Sequence, residues 1–262
     1  VIWLASRLKK MGYKPGIVSR GYGGSAKYWP QQVLPGSDPT AVGDEPVLIA
    51  SRTGCPVSVG PNRVAAALAM QKHIDCDVII SDDGMQHYAL RRDIEIAVMD
   101  GDRGVGNGFC LPAGPLRERV SRLNTVDMVV SNGTAGRGQY VMLIKCTAVI
   151  NMYNPRQRMS LEDFAGKGLI HAVAGIGNPE RFFKKLEMAG IRIERHEFPD
   201  HYSFKPEDLD AFGDATLLMT EKDAVKCGRF AKPNHWFVRI DAQLHSTFEH
   251  RLDKLIDGVL NG

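Results

Sequence analysis

The sequence predicts an α/β protein with a mostly parallel sheet and helices on both faces. Short apolar segments rich in Val and Ile recur through the first 150 residues, and helical or loop segments separate them. Continuous apolar strands of this kind are typical of a parallel sheet, because both of its faces are covered. Hydrophobic residues make up 44% and charged residues 24% of the chain, which suits a globular protein.

The first 150 residues are predicted to alternate between helix and strand. Residues 1–12 have the apolar spacing of an amphipathic helix. Strands are predicted at 16–19, 46–50, 56–59, 77–81, 94–99 and 126–131, and a further strand pattern begins near 140. The segment 46–50 could equally begin a helix, because Pro is accepted in a first helical turn.

A boundary is predicted near residue 150, giving a core of residues 1–150 and a smaller α/β part of residues 151–262. In the second part, strands are expected at 169–177, 191–198, 215–220 and 235–240. Helices are expected at about 179–190, at 206–212 and from 246 onward. This part therefore alternates strands and helices as the first one does.

Charge and cysteine content exclude several classes of protein. The net charge is only +3 and no dense basic block accompanies it, so we expect no nucleic-acid partner. The five cysteines form no CxxC pair, which argues against a zinc site or a disulfide framework and favours a reducing cytosol. No apolar run approaches the roughly 18 residues of a membrane span.

The start of the sequence is unusual. Val1 is not Met, and it lies inside an apolar helical pattern. A domain rarely begins inside a helix, so we expect an N-terminal truncation.

Two acidic residues follow the apolar segment 77–80. Asp82 and Asp83 are predicted to lie at the carboxyl end of a parallel strand, where α/β sheets bind ligands. Paired carboxylates at such a position suit Mg²⁺, as in the Walker-B arrangement of nucleotide hydrolases. The alternative is a polar turn that leaves a strand.

A second acidic pair, Asp44 and Glu45, precedes another apolar segment. One carboxylate could accept a proton from a hydroxyl while its neighbour assists a metal or nucleotide. The alternative is a helix N-terminus, with Asp as the cap and Pro46 in an early position.

Several loops could bind an anionic ligand. Residues 19–24 form a glycine-rich loop with Arg20, although a flexible turn is an equal alternative. Residues 112–118 form a rigid loop that carries Arg117, and a solvated helix start is its alternative. His201 follows a strand and could handle protons, although a lone His is more often structural. Residues 220–223 end a strand, and a capping turn is the simpler interpretation. No G-x-x-x-x-G-K-[ST] phosphate loop occurs in the sequence.

Taken together and in this order, these segments resemble the tetraacyldisaccharide 4'-kinase family of lipid A biosynthesis. The matching segments are SRGYGG at 19–24, GDEP at 43–46, DDGMQH at 82–87, PAGPLRE at 112–118, His201-Tyr202, and TEKDAVK at 220–226. DDGMQH and PAGPLRE are distinctive, whereas GDEP or HY alone would match many proteins. The matches extend over nearly the whole chain.

The resemblance implies a P-loop NTPase-like fold and transfer of the ATP γ-phosphate to the 4'-hydroxyl of tetraacyldisaccharide 1-phosphate, which gives lipid IVA. Asp44 would be the catalytic base, coupled to His201. Asp82 and Asp83 would organise Mg²⁺, with Glu45 nearby. The nucleotide or lipid site would be lined by Arg20, Tyr22, Gln86, His87 and Arg117.

The resemblance also implies partners and a location. We expect ATP, the lipid A disaccharide precursor and a membrane surface as partners, and a monomeric chain at the cytoplasmic face of the bacterial inner membrane. Proteins of the family carry a phosphate loop ending in Lys-Thr-Pro, and a membrane-associated helix, before a segment like that at residues 1–4. Because neither precedes Val1 here, we expect the chain as given to bind ATP weakly and to transfer no phosphate.

Two other readings remain open at this point. The chain could be another P-loop small-molecule kinase or ATPase, which substrate profiling would separate from a lipid kinase. It could also be a non-catalytic lipid- or nucleotide-binding module, in which replacement of Asp44 would leave function intact. A dinucleotide oxidoreductase is more distant, because no G-x-G-x-x-G follows a strand.

Overall fold

The computed structural model describes residues 1–260. The elements are, in chain order, α1 (Ile2–Lys10), β1 (Pro15–Ser19), β2 (Gln31–Val33), α2 (Pro39–Val42), α3 (Asp44–Thr53), β3 (Val57–Val59), α4 (Arg63–His73), β4 (Val78–Ser81), β5 (Ile96–Asp100), β6 (Met128–Asn132), β7 (Tyr140–Asn151), β8 (Arg158–Met159), β9 (Leu169–Ala174), α5 (Pro179–Met188), β10 (Arg192–Glu197), α6 (Pro206–Asp210), β11 (Leu217–Thr220), α7 (Glu221–Cys227), β12 (His235–Leu244) and α8 (Ser246–Leu260). Within the described residues, no helix is both long enough and apolar enough to cross a membrane.

The chain divides into two compact units, and each unit combines two chain segments. Unit 1 contains Val1–Gly84 and Cys146–Ile240, and unit 2 contains Met85–Lys145 and Asp241–Gly262. This division differs from the continuous parts 1–150 and 151–262 that the sequence suggested. The chain leaves unit 1 just after β4 and returns to it within β7, so a single cut cannot describe the units.

Unit 1 contains a four-stranded sheet in the order β2-β3-β1-β4. The central strand β1 is parallel to β3 and to β4, and only the edge strand β2 is antiparallel. Every residue of β1 is buried, as expected for an apolar strand with two covered faces. Ser19 pairs with Val59 and Val18 with Ser81, so the carboxyl ends of three strands meet at one edge.

The second sheet of unit 1 runs in the order β10-β9-β11-β12-β7. Strand β9 is parallel to β10 and β11, and β11 is parallel to β12. Successive residues of β9 point to opposite faces, so Ala172 packs with Phe183 of α5 while Val173 packs with Leu209 of α6. Helices therefore cover both faces, which confirms the predicted α/β architecture.

Unit 2 contains β5 and β6, the first half of β7, and α8. β5 is parallel to β6, and β6 is parallel to β7. The ring of Phe248 in α8 meets Tyr140 in β7 edge to face, with ring centroids 5.3 Å apart.

The strand predicted at 46–50 is wrong, because these residues belong to α3. Gly43 turns the chain with φ +94°, and Asp44 and Glu45 occupy the first turn. Carboxylates there interact well with the helix dipole, and Pro46 sits where a helix needs no backbone donor. The helical alternative is therefore the observed one.

Candidate active site

Asp44 lies at the first position of α3 and is only 5% exposed. Gly43 places it there through a backbone conformation that L side chains rarely adopt. A Cβ on Gly43 would lie 2.8 Å from the Tyr22 carbonyl oxygen, so the glycine also allows a close approach. The carboxylate accepts a hydrogen bond from the Glu45 N–H at 2.8 Å, which fixes its orientation.

His201 lies directly against this carboxylate. Its Nδ1 is 3.1 Å from Asp44 Oδ2 and 3.2 Å from Oδ1. The residue has φ +58°, so the loop after β10 holds it in the left-handed region. The exposed Tyr22 ring packs against the His201 ring, with 5.2 Å between the ring centroids. The structure thus brings the two predicted catalytic residues together in unit 1.

Two lysines of α7 lie beside the pair of Asp44 and His201. Lys226 Nζ is 4.0 Å from Asp44 Oδ2, and both side chains are almost fully buried. Lys222 Nζ lies 3.0 Å from Glu45 Oε1 and 3.4 Å from the Nε2 of His201. Burial lowers the pKa of Lys222, but Asp44 and Glu45 outweigh burial and the net shift is upward. The positive charges of Lys222 and Lys226 therefore lie beside the Asp44 carboxylate and the His201 imidazole.

Asp223 anchors this cluster to the second sheet. Its Oδ2 accepts hydrogen bonds from the Gly175 N–H at 3.0 Å and from the Thr220 hydroxyl at 2.6 Å. Its Oδ1 pairs with Lys226 Nζ at 2.7 Å. Asp223 is fully buried and held by these hydrogen bonds, so its ion pair fixes Lys226 beside Asp44.

Arg52 and Glu221 join the two helices that carry these groups. Arg52 Nη1 lies 2.5 Å from Glu221 Oε2, and the side chains are 7% and 9% exposed. Arg52 is in the last turn of α3, and Glu221 is the first residue of α7. The ion pair therefore fixes α3 against α7 at a point away from Asp44.

Asp82 follows β4, as the sequence predicted, and lies beside Ser19 at the end of β1. The Ser19 hydroxyl donates to Asp82 Oδ2 at 2.9 Å. Burial raises the pKa of the Asp82 carboxyl, against the hydrogen bond from Ser19, and the charges of Glu45 and Asp83 raise it further. Asp83 is exposed and has φ +43°.

The three predicted metal ligands do not form a compact set. Among residues 1–260, Asp82, Asp83 and Glu45 do not bring one oxygen each within 4.8 Å of the others. Glu45 instead forms its ion pair with Lys222. Asp82 and Ser19 together still offer a carboxylate and a hydroxyl, which are the hard oxygen donors that Mg²⁺ prefers.

The glycine-rich loop at 19–24 packs against the end of α2. A Cβ on Gly24 would lie 2.5 Å from the Ala41 carbonyl oxygen, and one on Gly21 would lie 3.1 Å from that of Val42. These glycines therefore allow close backbone packing within unit 1. The loop leaves Arg20 and Tyr22 exposed to solvent.

The remaining predicted residues lie in unit 2. Gln86 Nε2 donates to Glu118 Oε1 at 2.6 Å, and Arg117 Nη1 donates to Gln86 Oε1 at 3.1 Å. Tyr88 also donates a short hydrogen bond to Glu118. The hydrogen bonds from Tyr88 and Gln86 lower the pKa of the Glu118 carboxyl. His87 is half-buried, and in the chain it lies between Gln86 and Tyr88.

Lys222, Asp223 and Lys226 were not among the predicted site residues. The sequence contained a signal for them, because TEKDAVK follows an apolar strand and was matched to the family. The Thr220 hydroxyl caps α7 by accepting a hydrogen bond from the Asp223 N–H, which confirms the capping turn predicted at 220–223. The turn therefore caps a helix and also supplies the site with charge.

The fold is that of the P-loop kinases, and a buried carboxylate with an imidazole and two lysines is a site suited to phosphoryl transfer. The model of the family described as LpxK, tetraacyldisaccharide-1-P 4'-kinase, matches residues 1–257. The chain belongs to this family of kinases.

Curated relatives agree with this assignment. The tetraacyldisaccharide 4'-kinase of Nitrosococcus oceani is 55% identical over 95% of this chain and 73% of its own length. That of Haemophilus influenzae is 46% identical over 100% of this chain and 81% of its own length. The crystal structure of LpxK from Aquifex aeolicus in complex with ATP has a TM-score of 0.78 and 25% identity, and the match covers 99% of this chain and 82% of that one.

Proposed function

We propose that this protein transfers the γ-phosphate of ATP to the 4'-hydroxyl of tetraacyldisaccharide 1-phosphate, giving lipid IVA in lipid A biosynthesis. Membership of the kinase family supports this reaction. The observation that carries the proposal is the buried Asp44 carboxylate, which His201 contacts at 3.1 Å beside two lysines. Phosphoryl transfer depends mainly on positioning and charge neutralisation, and this cluster offers both.

In the proposed reaction, Asp44 accepts the proton of the 4'-hydroxyl. The hydroxyl oxygen forms a bond to the γ-phosphorus while the bond to the bridging oxygen of ADP breaks, and ADP leaves. His201 holds the carboxylate in the orientation that accepts the proton, since its Nδ1 contacts both carboxylate oxygens. A base positioned in this way contributes about 10²- to 10⁴-fold to a rate.

The lysines of α7 have a separate role in the proposal. Lys222 and Lys226 place positive charge beside Asp44 and Glu45. Negative charge on the transferred phosphoryl group is best stabilised by cations that are already fixed in place. Asp223 fixes Lys226 in advance of binding.

We also propose that Asp82, with Asp83 and Glu45 nearby, holds Mg²⁺. The residues suit this ion, because Asp82 and Ser19 offer oxygen donors, and burial together with the charges of Glu45 and Asp83 raises the pKa of the Asp82 carboxyl. The ion would neutralise charge on the ATP phosphates.

Substrate contacts and location are part of the same proposal. Arg20 and Tyr22 in unit 1, and Gln86, His87 and Arg117 in unit 2, are proposed to contact the nucleotide or the lipid. The substrate carries acyl chains, so we propose that the protein works at a membrane, at the cytoplasmic face of the inner membrane. We also propose that it acts as a monomer.

A kinase assay with the intact protein, γ-labelled ATP and tetraacyldisaccharide 1-phosphate tests the reaction. We expect label in the lipid product, and no label when the acceptor lacks the 4'-hydroxyl. Equal labelling of the 4'-deoxy acceptor would contradict the proposed regiochemistry. Efficient labelling of a small sugar without acyl chains, in preference to the lipid, would assign the protein to another class of kinase.

A further inference from the structure

A second group of potential ligands lies on the edge of the second sheet of unit 1. His171 is on β9, and Glu194 and His196 are on the edge strand β10. Glu194 pairs with His171 in the parallel register, and His196 pairs with Val173 two residues further on. Residues two apart on a strand share a face, so the three side chains point to the same side of the sheet.

The three side chains converge closely. Nδ1 of His171 and Nε2 of His196 are 2.9 Å apart. Glu194 lies 3.7 Å from each of these nitrogens, through Oε2 to His171 and through Oε1 to His196. Among the described residues, this is the one group in which three such ligand atoms lie within 4.8 Å of one another.

The surroundings hold the imidazoles in place and leave the carboxylate accessible. The Phe212 ring packs against His171 at 5.1 Å and against His196 at 4.6 Å between centroids. The side chains of His171 and His196 are 20% and 22% exposed, whereas that of Glu194 is 52% exposed. A bound ion would therefore have a hydrophobic wall on one side and an open position towards water on the other.

We propose that His171, Glu194 and His196 form a binding site for a divalent transition-metal ion, with Zn²⁺ as the best match. Two imidazole nitrogens and one carboxylate are a zinc ligand set, whereas Mg²⁺ prefers oxygen ligands alone. Zn–N bonds of about 2.1 Å in a tetrahedral site place two nitrogens about 3.4 Å apart. The two nitrogens must therefore move about half an ångström further apart than their present 2.9 Å, and the stacked rings must turn so that both lone pairs point at the ion.

The alternative is a hydrogen bond between two neutral imidazoles that serves packing alone. It explains the short nitrogen–nitrogen contact. It does not require a carboxylate placed evenly beside both nitrogens, which the metal site does require.

The site is separate from the phosphoryl-transfer cluster and does not depend on the proposed reaction. Gly175 donates its N–H to Asp223, which belongs to the phosphoryl-transfer cluster. His171 lies four residues before Gly175, which in extended backbone is a distance of about 13 Å. A metal ion here would join β10 to β9, and we expect it to stabilise the fold.

Calorimetric titration of the chelator-treated intact protein with ZnCl₂, in the presence of excess Mg²⁺, tests the site. We expect one equivalent of Zn²⁺ to bind in the wild type. His196→Ala and Glu194→Gln should each weaken this binding at least about tenfold, as loss of a ligand costs no less than loss of an outer partner. Since cysteines also bind zinc, the decisive quantity is the binding that the variants lose. His73→Ala, which removes an exposed histidine of α4, should change nothing.

Two further measurements keep the result interpretable. Zinc should raise the Tm of the wild type more than that of Glu194→Gln, whose exposed side chain tolerates the change. Co²⁺ should give the visible absorption of a tetrahedral site in the wild type and in His73→Ala, but not in His196→Ala. Zinc binding and Tm shifts that are unchanged in folded His196→Ala and Glu194→Gln would overturn the proposal.

Discussion

His201 Nδ1 lies 3.1 Å from Asp44 Oδ2, although 157 positions separate the two residues in the chain. The contact joins the first turn of α3 to the loop after β10, and both belong to unit 1. A positive φ occurs at each side of the contact, with φ +58° at His201 and φ +94° at Gly43, the residue before Asp44. Such conformations persist where the surrounding structure fixes them, and they are frequent at functional sites.

Asp44→Asn should lower kcat about 10²- to 10⁴-fold and change KM little. The amide has nearly the shape of the carboxylate and can still accept the Glu45 hydrogen bond, but it cannot take a proton. Steady-state kinetics with the lipid acceptor measures the effect, and thermal unfolding checks the fold. Near-normal kcat in a folded variant would remove Asp44 from the mechanism and leave it a helix-capping role.

His201→Asn should also lower kcat, and the double variant with Asp44→Asn should lose less than the sum of the two effects. Residues that act as one unit behave in this way. Asn is the appropriate replacement because it accepts the left-handed backbone at φ +58° better than Ala does. His201→Ala should act in the same direction with an additional loss of stability. Fully additive free-energy changes would show that His201 acts independently of Asp44.

Gly43→Ala should destabilise the protein and lower kcat. A Cβ there would lie 2.8 Å from the Tyr22 carbonyl oxygen, so the backbone must shift beside Asp44. Gly12→Ala is a matched control, since Gly12 has φ +93° against +94° at Gly43 but its Cβ would meet nothing within 4 Å. We expect only the backbone cost in the control, about 1–2 kcal/mol, and unchanged kcat. Equal kcat in the two variants would contradict the positioning role of Gly43.

Glu221→Gln should lower the free energy of unfolding by about 3–5 kcal/mol, because it leaves the Arg52 charge buried without its carboxylate. Urea denaturation measures this loss. Lys14→Met is the control, because the pair of Lys14 and Asp75 has the same 2.5 Å separation but is 61% and 81% exposed. An exposed pair contributes little to stability, because water screens it. The double variant Arg52→Met/Glu221→Leu should recover most of the loss, and a similar loss in Lys14→Met would contradict the argument from burial.

Asp82→Asn should raise the Tm of the magnesium-free protein at pH 7. Burial raises the pKa of the Asp82 carboxyl above its ordinary value of 3.8, so the folded state favours the protonated form. The protonated carboxyl therefore stabilises the folded state relative to the unfolded state. This contribution is fully present below pH 3.8 and is lost as pH rises through the pKa of the folded protein. The Tm difference between variant and wild type should therefore shrink as pH falls.

The control for this prediction is Asp83→Asn. Asp83 is exposed and its left-handed backbone accepts Asn, so we expect little change in Tm. Magnesium should also raise the Tm of the wild type more than that of Asp82→Asn. Equal magnesium responses would remove Asp82 from the proposed metal site.

Strand positions were predictable because burial on two faces requires continuous apolar runs. The segment 77–81 contains β4, and 56–59 contains β3. The helix α3 was harder, because its apolar residues 47–50 form a short run that suits either structure. Helix α4 and strand β2 were not predicted. β2 is only three residues long, and α4 is rich in alanine with little contrast between its faces.

The site was predictable only in part. Motifs pointed to Asp44, Asp82 and His201, which lie at the start of α3, directly after β4 and in the loop after β10. The lysines of α7 could not be assigned from local sequence, because their role depends on the packing of α7 against α3. The cluster of His171, Glu194 and His196 depends on strand register, which spacing along the chain does not reveal.

The discontinuous composition of unit 1 sets an order of events during synthesis. Asp44 leaves the ribosome 157 residues before His201. At about 5–20 residues per second, the carboxylate waits about 8–30 s for its imidazole. Throughout this interval α3 lacks α7, and Arg52 lacks Glu221. In nascent chains that end before α7, the face of α3 that packs on α7 therefore has no partner, and its buried residues Val47 and Ala50 belong to an unfinished core.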